Sequence, residues 1–252
     1  MNSFEVPVAI FAYNRDKKFK TIYESLIKNL NKNVPIYFFI DGPKNKTDII
    51  KINNILGLIE NENFFEKKYI IKNKKNLGLK KNIINGINTV FKYFTKIIVI
   101  EDDILINKYF YKFMSENLNN LDYKNNLGSI TGYSFLESKI KNYKYDIYFS
   151  FRHSSWGWGT WKHVWENINF ENIKNENFTL HKNKLDQAGT DIYRMLIKDK
   201  KIDMNSWSIY FDYYCITNNL LCLASSISMI KNIGFDNDAT NTKKNYVENF
   251  KY

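Results

Sequence analysis

A triplet of acidic residues follows one of the most apolar short runs in the sequence. Glu101, Asp102 and Asp103 come directly after segment 97–100, which is IIVI. Adjacent carboxylates repel one another, so this cluster needs a cation or hydrogen bonds to neutralise it. With no histidine or cysteine nearby, oxygen ligands favour a hard cation, Mg²⁺ or Mn²⁺. The triplet therefore predicts a metal site that meets phosphates; the simpler alternative is a loop start that caps a helix.

Other polar residues follow other predicted strands. Tyr13 and Arg15 come after the first apolar run, and Asp41 comes after the second. In an open parallel sheet, ligands bind beyond the carboxyl ends of the strands, where the strand order switches direction. We therefore expect these residues to lie near the acidic triplet, with Arg15 and either Lys80 or Lys81 placed to meet phosphates.

The first hundred residues have the pattern of such a sheet. Runs rich in β-branched and aromatic residues predict four buried strands, at 7–12, 35–40, 69–72 and 97–100. Apolar residues at helical spacing predict three helices between them, within 19–30, 52–59 and 83–94. This alternation predicts an α/β fold with a parallel sheet and helices on both faces.

The second half is less regular. We predict strands at 127–131 and 146–151, a tryptophan-rich stretch at 156–165, a polar surface loop at 166–186, and helices at 192–197 and 208–217. No linker, repeat or low-complexity tract interrupts the sequence, which predicts a single domain over 1–252.

Composition narrows the class of protein. The 252 residues are 44% apolar and 25% charged, which suits one globular domain with a substantial core. The net charge of +11 would suit nucleic acid, but only three of the 37 basic residues are arginines, so we expect no nucleic-acid partner. Without a long apolar run or a signal-like start, we expect a cytoplasmic protein. Its basic surface would favour peripheral association with the inner face of an anionic membrane.

Several motifs resemble those of GT-A glycosyltransferases, most closely the N-acetylglucosaminyltransferase I family and its bacterial relatives. The family's first strand ends in Ala-Cys-Asp-Arg, its second ends in an aspartate, and its metal motif is Glu-Asp-Asp. The corresponding positions here are 12–15 (AYNR), Asp41 and 101–103. The Trp-Gly-Trp-x-Thr-Trp, Asn-Ser-Trp and Asn-Ile-Gly-Phe-Asp elements of bacterial relatives are similar to segments 156–161, 205–207 and 232–236. The resemblance covers nearly the whole chain.

This resemblance implies a GT-A fold and a metal-bound donor. The fold is a mostly parallel central sheet with helices on both faces, divided into a nucleotide-sugar-binding half at about 1–104 and an acceptor-side half at about 105–252. By carry-over, Asp103 would be the direct ligand of Mn²⁺ or Mg²⁺, Asp102 would face the ribose, and Glu101 would reach the sugar.

The same resemblance implies the nucleotide contacts. Arg15 and Lys80 would contact the nucleotide, and Asp41 would accept a hydrogen bond from uracil. Tyr13 lies in the Arg15 motif and is grouped with these residues.

Tryptophans are candidates for the sugar pocket, since flat aromatic side chains suit the apolar faces of pyranose rings. Trp156 and Trp158 would form its floor and wall. Because Gly157 and Gly159 flank Trp158, we expect that tryptophan on a loop that approaches the ligand. Core packing is the alternative for these rings.

An inverting transferase needs a base to accept the proton of the acceptor hydroxyl. The eukaryotic family has Asp-Asp-Trp where this chain has Asn205, Ser206 and Trp207, and asparagine cannot act as a base. Either Asp212 or Asp203 takes the role, or the reaction is retaining and needs none. Asp212 could equally be a solvated helix position.

The sequence thus predicts a metal-dependent glycosyltransferase. Its donor would be a nucleoside-diphosphate sugar, with UDP expected, and its acceptor a glycan, a lipid-linked molecule or a protein in surface polysaccharide or glycoconjugate synthesis. A sugar-1-phosphate nucleotidyltransferase is the nearest rival, but segment 11–20 lacks the glycines of a triphosphate loop. A non-catalytic carbohydrate-binding module would leave the acidic triplet unexplained. Neither donor sugar, acceptor nor oligomeric state follows from the sequence.

Overall fold

The computed structural model describes residues 5–121, 126–136, 142–202 and 206–235, and strands and helices alternate through its first half. The strands are β1 (Val8–Ala12), β2 (Ile36–Ile40), β3 (Lys68–Lys72), β4 (Lys96–Glu101), β5 (Ile104–Ile106), β6 (Leu127–Thr131), β7 (Ile147–Ser150), β8 (Trp158–Trp161), β9 (Leu221–Ser225) and β10 (Ile230–Asn232). The helices are α1 (Asp16–Asn29), α2 (Lys46–Asn61), α3 (Leu79–Val90), α4 (Phe110–Asn120), α5 (Lys162–Trp165), α6 (Lys182–Ala188), α7 (Ile192–Ile202) and α8 (Ser208–Thr217).

Eight strands form one sheet in the order β3-β2-β1-β4-β8-β6-β9-β7, and β10 and β5 form a separate antiparallel pair. β3, β2, β1 and β4 are mutually parallel. β8 runs antiparallel to β4 and β6, β9 runs parallel to β6, and the edge strand β7 is antiparallel. The predicted α/β fold with a mostly parallel central sheet is confirmed.

Helices cover both faces of this sheet. Phe38 and Phe39 are neighbours on β2, so their side chains point to opposite faces. Phe19 of α1 packs on Phe38 with ring centroids 6.2 Å apart. On the other face, a Cβ placed on Gly86 of α3 would lie 3.1 Å from Phe39 and 2.4 Å from Phe11, so this glycine lets α3 approach the sheet closely.

Two details of the second half differ from the sequence prediction. Segment 166–186 is not a plain loop, because it contains 3₁₀ turns at Ile173–Asn175 and Phe178–His181 and the start of α6. Trp158 is not a loop residue, because it begins β8 and pairs with Val99 of β4. The predicted division near residue 104 falls at the start of β5.

No helix in the described ranges is both long and apolar enough to cross a membrane.

Candidate functional site

The acidic triplet lies at the carboxyl end of β4, beside the end of β1. Phe11 of β1 pairs with Glu101 of β4, so Arg15 is brought to the triplet from the neighbouring strand. One guanidinium nitrogen, Nη1, lies 2.9 Å from Oδ2 of Asp103 and 3.4 Å from Oδ1 of Asp102. The Tyr13 backbone N–H donates to Asp102 at 3.3 Å. The structure therefore brings Tyr13 and Arg15 to the triplet, as the strand-end argument predicted.

Burial makes this cluster electrostatically unfavourable. Burial, and then the charges of Asp103 and Asp102, raise the pKa of Glu101 to about 8. Burial also raises the pKa of Asp102 to about 6, although the Arg15 charge opposes that shift. A nearby cation therefore favours the ionised forms of Glu101 and Asp102, and Arg15 supplies one positive charge.

The donor set fits a hard cation. No group of three or more His, Cys, Asp or Glu side chains in the described ranges is arranged to hold a metal by itself. Mg²⁺-type ions, however, are usually held by one or two carboxylates and completed by water and substrate phosphates. Asp102 and Asp103 offer such a pair of oxygen ligands.

Tyr13 and Asp41 have structural partners of their own. The Tyr13 hydroxyl donates to Asp48 at 2.5 Å, and Asp48 also accepts from the Asn14 side chain at 2.7 Å. Asp48 thus fixes the loop after β1, a role that the sequence analysis missed. Its signal was the spacing to Asn45, whose side chain caps α2 by accepting from the Asp48 N–H.

Asp41 is 4% exposed and accepts four hydrogen bonds. They come from the N–H groups of Gly42, Leu77 and Gly78 and from the Asn73 amide. This carboxylate therefore ties the end of β2 to the start of α3. Oδ2 accepts only the Gly78 bond among the described residues, and its contact with uracil stays a prediction.

Lys80 lies in the first turn of α3 and points to the second half of the chain. Its Nζ lies 4.1 Å from the ring centroid of Tyr210 on α8. The Tyr210 hydroxyl in turn donates to Asp199 of α7, which is fully buried. Lys80 thereby joins the two halves, and its contact with a nucleotide stays a prediction.

Within the tryptophan motif, Trp156 lines a cavity, whereas Gly157 and Trp158 are buried. Trp158 is 0% exposed and stacks on Trp207 with centroids 4.9 Å apart, so its ring presents no surface to a ligand. Gly157 has a φ of +59°, and a Cβ there would lie 2.8 Å from Ile230 and 3.0 Å from Phe110. Tight packing therefore accounts for Gly157 and Trp158, and the expected position of Trp158 on a loop that faces the ligand is wrong. Contact of Gly157 with a ligand stays a prediction.

Trp156 lines a cavity of about 210 Å³ formed by the segments after β6 and before β8 and by α7 and α8. We call this space the Asp212 cavity; its lining includes Tyr133, Arg152, Trp156, Met195, Ser208 and Asp212. Trp156 packs edge-on against Tyr133 at 4.7 Å and against Phe235 at 5.4 Å. Phe235 follows Gly234, and a Cβ placed on Gly234 would lie 2.3 Å from an Asp103 oxygen. The cavity and the acidic triplet are therefore joined through Trp156 and Phe235.

Asp212 is a buried carboxyl group in this cavity. Burial raises its pKa to about 7, although Arg152 and the His153 backbone N–H, at 2.8 Å, oppose that shift. The His153 ring adds no positive charge, because burial and Arg152 lower its pKa to about 3. A carboxyl group that titrates near neutrality can accept a proton from a hydroxyl. The alternative of a solvated helix position is excluded, because Asp212 is only 7% exposed.

Arg152 was not predicted as a site residue. Its guanidinium lines the Asp212 cavity and makes two hydrogen bonds, of 2.7 and 2.9 Å, to the carboxylate of Asp191. No spacing in the sequence links residues 152, 191 and 212, so only the fold reveals this arrangement. Asp203, the other candidate base, lies outside the described residues.

Comparisons with known proteins identify a fold. No family model matches the sequence, and no curated protein matches it. The structure matches residues 1–349 of Staphylococcus aureus TarS, solved with UDP-GlcNAc, at a TM-score of 0.51 and 12% identity, over 97% of this chain and 64% of that one. It also matches the Pyrobaculum calidifontis mannosyltransferase PcManGT, solved with GDP-Man and Mn²⁺, at a TM-score of 0.45 and 8% identity, over 84% and 74% of the two chains. The match to TarS shows the fold, which is the GT-A fold expected from the sequence. Membership of the N-acetylglucosaminyltransferase I family stays a prediction.

Asp212 should make stability depend on pH. Its pKa lies near 7 in the folded chain and near 4 when unfolded, so the folded state binds the extra proton between these values and stability falls as pH rises. Asp212→Asn removes this effect and keeps an oxygen to accept from His153. The free energy of unfolding of the variant, relative to wild type, should rise between about pH 4 and pH 7 by a few kcal/mol at most.

Urea unfolding across this pH range provides the measurement. Asp146→Asn changes an exposed carboxylate and should alter stability little. A pH-independent difference between Asp212→Asn and wild type would contradict a raised pKa at Asp212.

Proposed function

We propose that the protein is a metal-dependent glycosyltransferase that moves a sugar from a nucleoside-diphosphate donor, with UDP expected, to a hydroxyl group of a glycan, lipid-linked or protein acceptor. The main support is the convergence of Arg15, Asp102 and Asp103 at the carboxyl ends of β1 and β4 in a GT-A fold. Surface polysaccharide or glycoconjugate synthesis is the expected setting.

The acidic triplet and Arg15 would form the donor site. Asp103, with Asp102 beside it, would hold Mn²⁺ or Mg²⁺. When bound, the ion neutralises charge that develops on the leaving diphosphate. Arg15 already lies against both carboxylates and is placed to add a second positive charge. Glu101 would reach the sugar, and Tyr13, Asp41 and Lys80 would fix the nucleotide.

The Asp212 cavity would hold the acceptor. Trp156 offers an aromatic surface for a sugar ring and links the cavity to the acidic triplet through Phe235. Asp212 would accept the proton as the acceptor oxygen bonds to the anomeric carbon and the bond from that carbon to the diphosphate breaks. A single displacement of this kind inverts the anomeric configuration. Asp203 is the alternative base, and a retaining reaction would need neither.

Metal dependence is testable by calorimetry with UDP. Mn²⁺ should increase the affinity of the wild-type chain for UDP, because Asp103 would hold an ion whose charge attracts the diphosphate. In Asp103→Asn this increase should disappear, whereas Asp146→Asn should behave as wild type. If Mn²⁺ increases the UDP affinity of Asp103→Asn as much as that of wild type, Asp103 is not a metal ligand.

The base assignment is testable by turnover. A panel of nucleotide sugars, screened by thermal shift and by hydrolysis, first identifies the donor. Asp212→Asn should then reduce transfer by about 10²- to 10⁴-fold, the range for general-base loss, with donor affinity unchanged. NMR of the product should show inversion. Full transfer activity of Asp212→Asn would show that Asp212 is not the catalytic base. Release of pyrophosphate from UTP and a sugar 1-phosphate would instead favour the nucleotidyltransferase.

We also propose that the reaction takes place at the cytoplasmic face of an anionic membrane, where a net charge of +11 favours peripheral binding. The chain should sediment with liposomes that contain anionic lipid at low salt and be released at high salt. Sedimentation that does not respond to salt or to lipid charge would argue against this location.

A further inference from the structure

A second cavity lies against the carboxyl-terminal half of α8, apart from the Asp212 cavity. Its volume is about 240 Å³. We call it the Tyr213 cavity; the residues that carry the argument are Asn167, Asn169, Asn172, Tyr213, Tyr214 and Asn218. The segment that contributes the first three is the one predicted to be a plain loop.

The floor of the Tyr213 cavity is aromatic and firmly held. Tyr213 is 5% exposed and packs edge-on against Phe178 at 5.1 Å and His181 at 5.8 Å. Ile173, at 6% exposed, adds an aliphatic surface. A floor of this type suits the C–H face of a sugar ring.

The rim of the cavity consists of amide side chains that are partly fixed in orientation. The Asn167 amide donates to the His163 carbonyl at 2.7 Å, and the Asn218 amide donates to the Tyr214 carbonyl at 2.8 Å. The Asn169 side-chain oxygen accepts from the Asn172 backbone N–H at 3.1 Å. An amide both donates and accepts, so each retains a polar atom for a hydroxyl ligand.

The charges at the cavity do not favour an anion. Glu176 is the carboxylate among the lining residues. Two ammonium groups lie near, but Lys184 donates to the Thr217 carbonyl at 3.2 Å and Lys200 to the Glu176 carbonyl at 3.1 Å. The lining formed by the described residues also includes His181 and Thr217, but neither Lys nor Arg. Amides, tyrosines, one imidazole and one acid match a ligand with many hydroxyl groups better than a phosphate or a nucleotide.

The position on α8 connects this cavity to the proposed reaction. Asp212 lines one cavity, and Tyr213, Tyr214 and Thr217 line the other, so a single helix forms a wall of both. Thr217 lies five positions after Asp212, about 7.5 Å farther along the helix axis.

We propose that the Tyr213 cavity is a second carbohydrate-binding site, which takes a neutral pyranose unit of the acceptor glycan away from the reacting hydroxyl. The role in acceptor binding rests on the proposed function; the binding of neutral sugar does not. Two weak contacts on one glycan raise its effective concentration at the Asp212 cavity, so longer acceptors would bind more tightly than short ones.

Methyl NMR of the full chain with labelled isoleucines can separate the two cavities. Ile173 lines the Tyr213 cavity, whereas Ile192 and Ile209 line the Asp212 cavity. The probes are the methyl glycosides of glucose, galactose, mannose and N-acetylglucosamine at millimolar concentration, with methyl glucuronide as the charged comparison. At least one neutral glycoside should shift the Ile173 signal in a saturable way.

Variants test whether the shift of the Ile173 signal comes from binding in the Tyr213 cavity. The double change Asn172→Ala and Asn218→Ala alters two exposed rim residues and should reduce the Ile173 response at least severalfold. Asn175→Ala changes a nearby exposed asparagine outside the cavity lining and should leave the response intact.

An Ile173 signal that no neutral glycoside moves, that only glucuronide moves, or that responds equally in the double variant would overturn the proposal. Shifts at Ile192 and Ile209 and the binding of UDP report on the proposed function separately, so the two proposals can fail independently.

Discussion

The site depends on the contact between Arg15 and the carboxylates at the end of β4. A parallel sheet sends the ends of β1 and β4 to the same edge, and their direct pairing places Arg15 within 3.4 Å of both Asp102 and Asp103. Without a cation, three adjacent acids at the end of a buried strand would favour protonation. The fold thus collects three carboxyl groups at one edge and places one guanidinium against two of them. Under the proposed function, this edge would also hold the metal ion.

The second half of the chain is attached to this charged edge by aromatic and backbone packing. β8 pairs with β4, and Gly157, directly before β8, fits tightly against Phe110 and Ile230. Trp156 bridges to Phe235, next to the glycine that lies against Asp103. Glycines are needed at these contacts because a Cβ would collide with neighbouring side chains. The Asp212 cavity is therefore built close to the acidic triplet, although its residues come from a different part of the sequence.

Local pattern predicted the first half of the fold well. The predicted strands at 35–40 and 97–100 lie within a residue of β2 and β4, because buried parallel strands are continuous apolar runs. The rule that ligands bind beyond the strand ends also predicted correctly that Arg15 lies beside the triplet. It did not reveal that Asp41 holds a loop in place, because hydrogen bonds from backbone N–H groups leave little mark in sequence. It also missed Asp48, whose partners Tyr13 and Asn14 are more than 30 residues away in the chain. Trp158 was misplaced because flanking glycines suggested a loop, whereas here they permit close packing in a sheet. The pairing of Arg152 with Asp191 and the second cavity depend on distant segments that only tertiary structure brings together.

The arrangement around α8 has an evolutionary consequence. Most of this helix is buried, and its residues serve the core, the proposed base and the floor of the second cavity at once, so few of its positions can change without harm. The asparagines at the rim of that cavity are exposed and belong mainly to the irregular segment before α6. Mutation and drift can therefore remodel the rim at little cost to folding. Under the proposed function, related chains would diverge in the glycans that they bind, while Asp212 and the acidic triplet would stay the same.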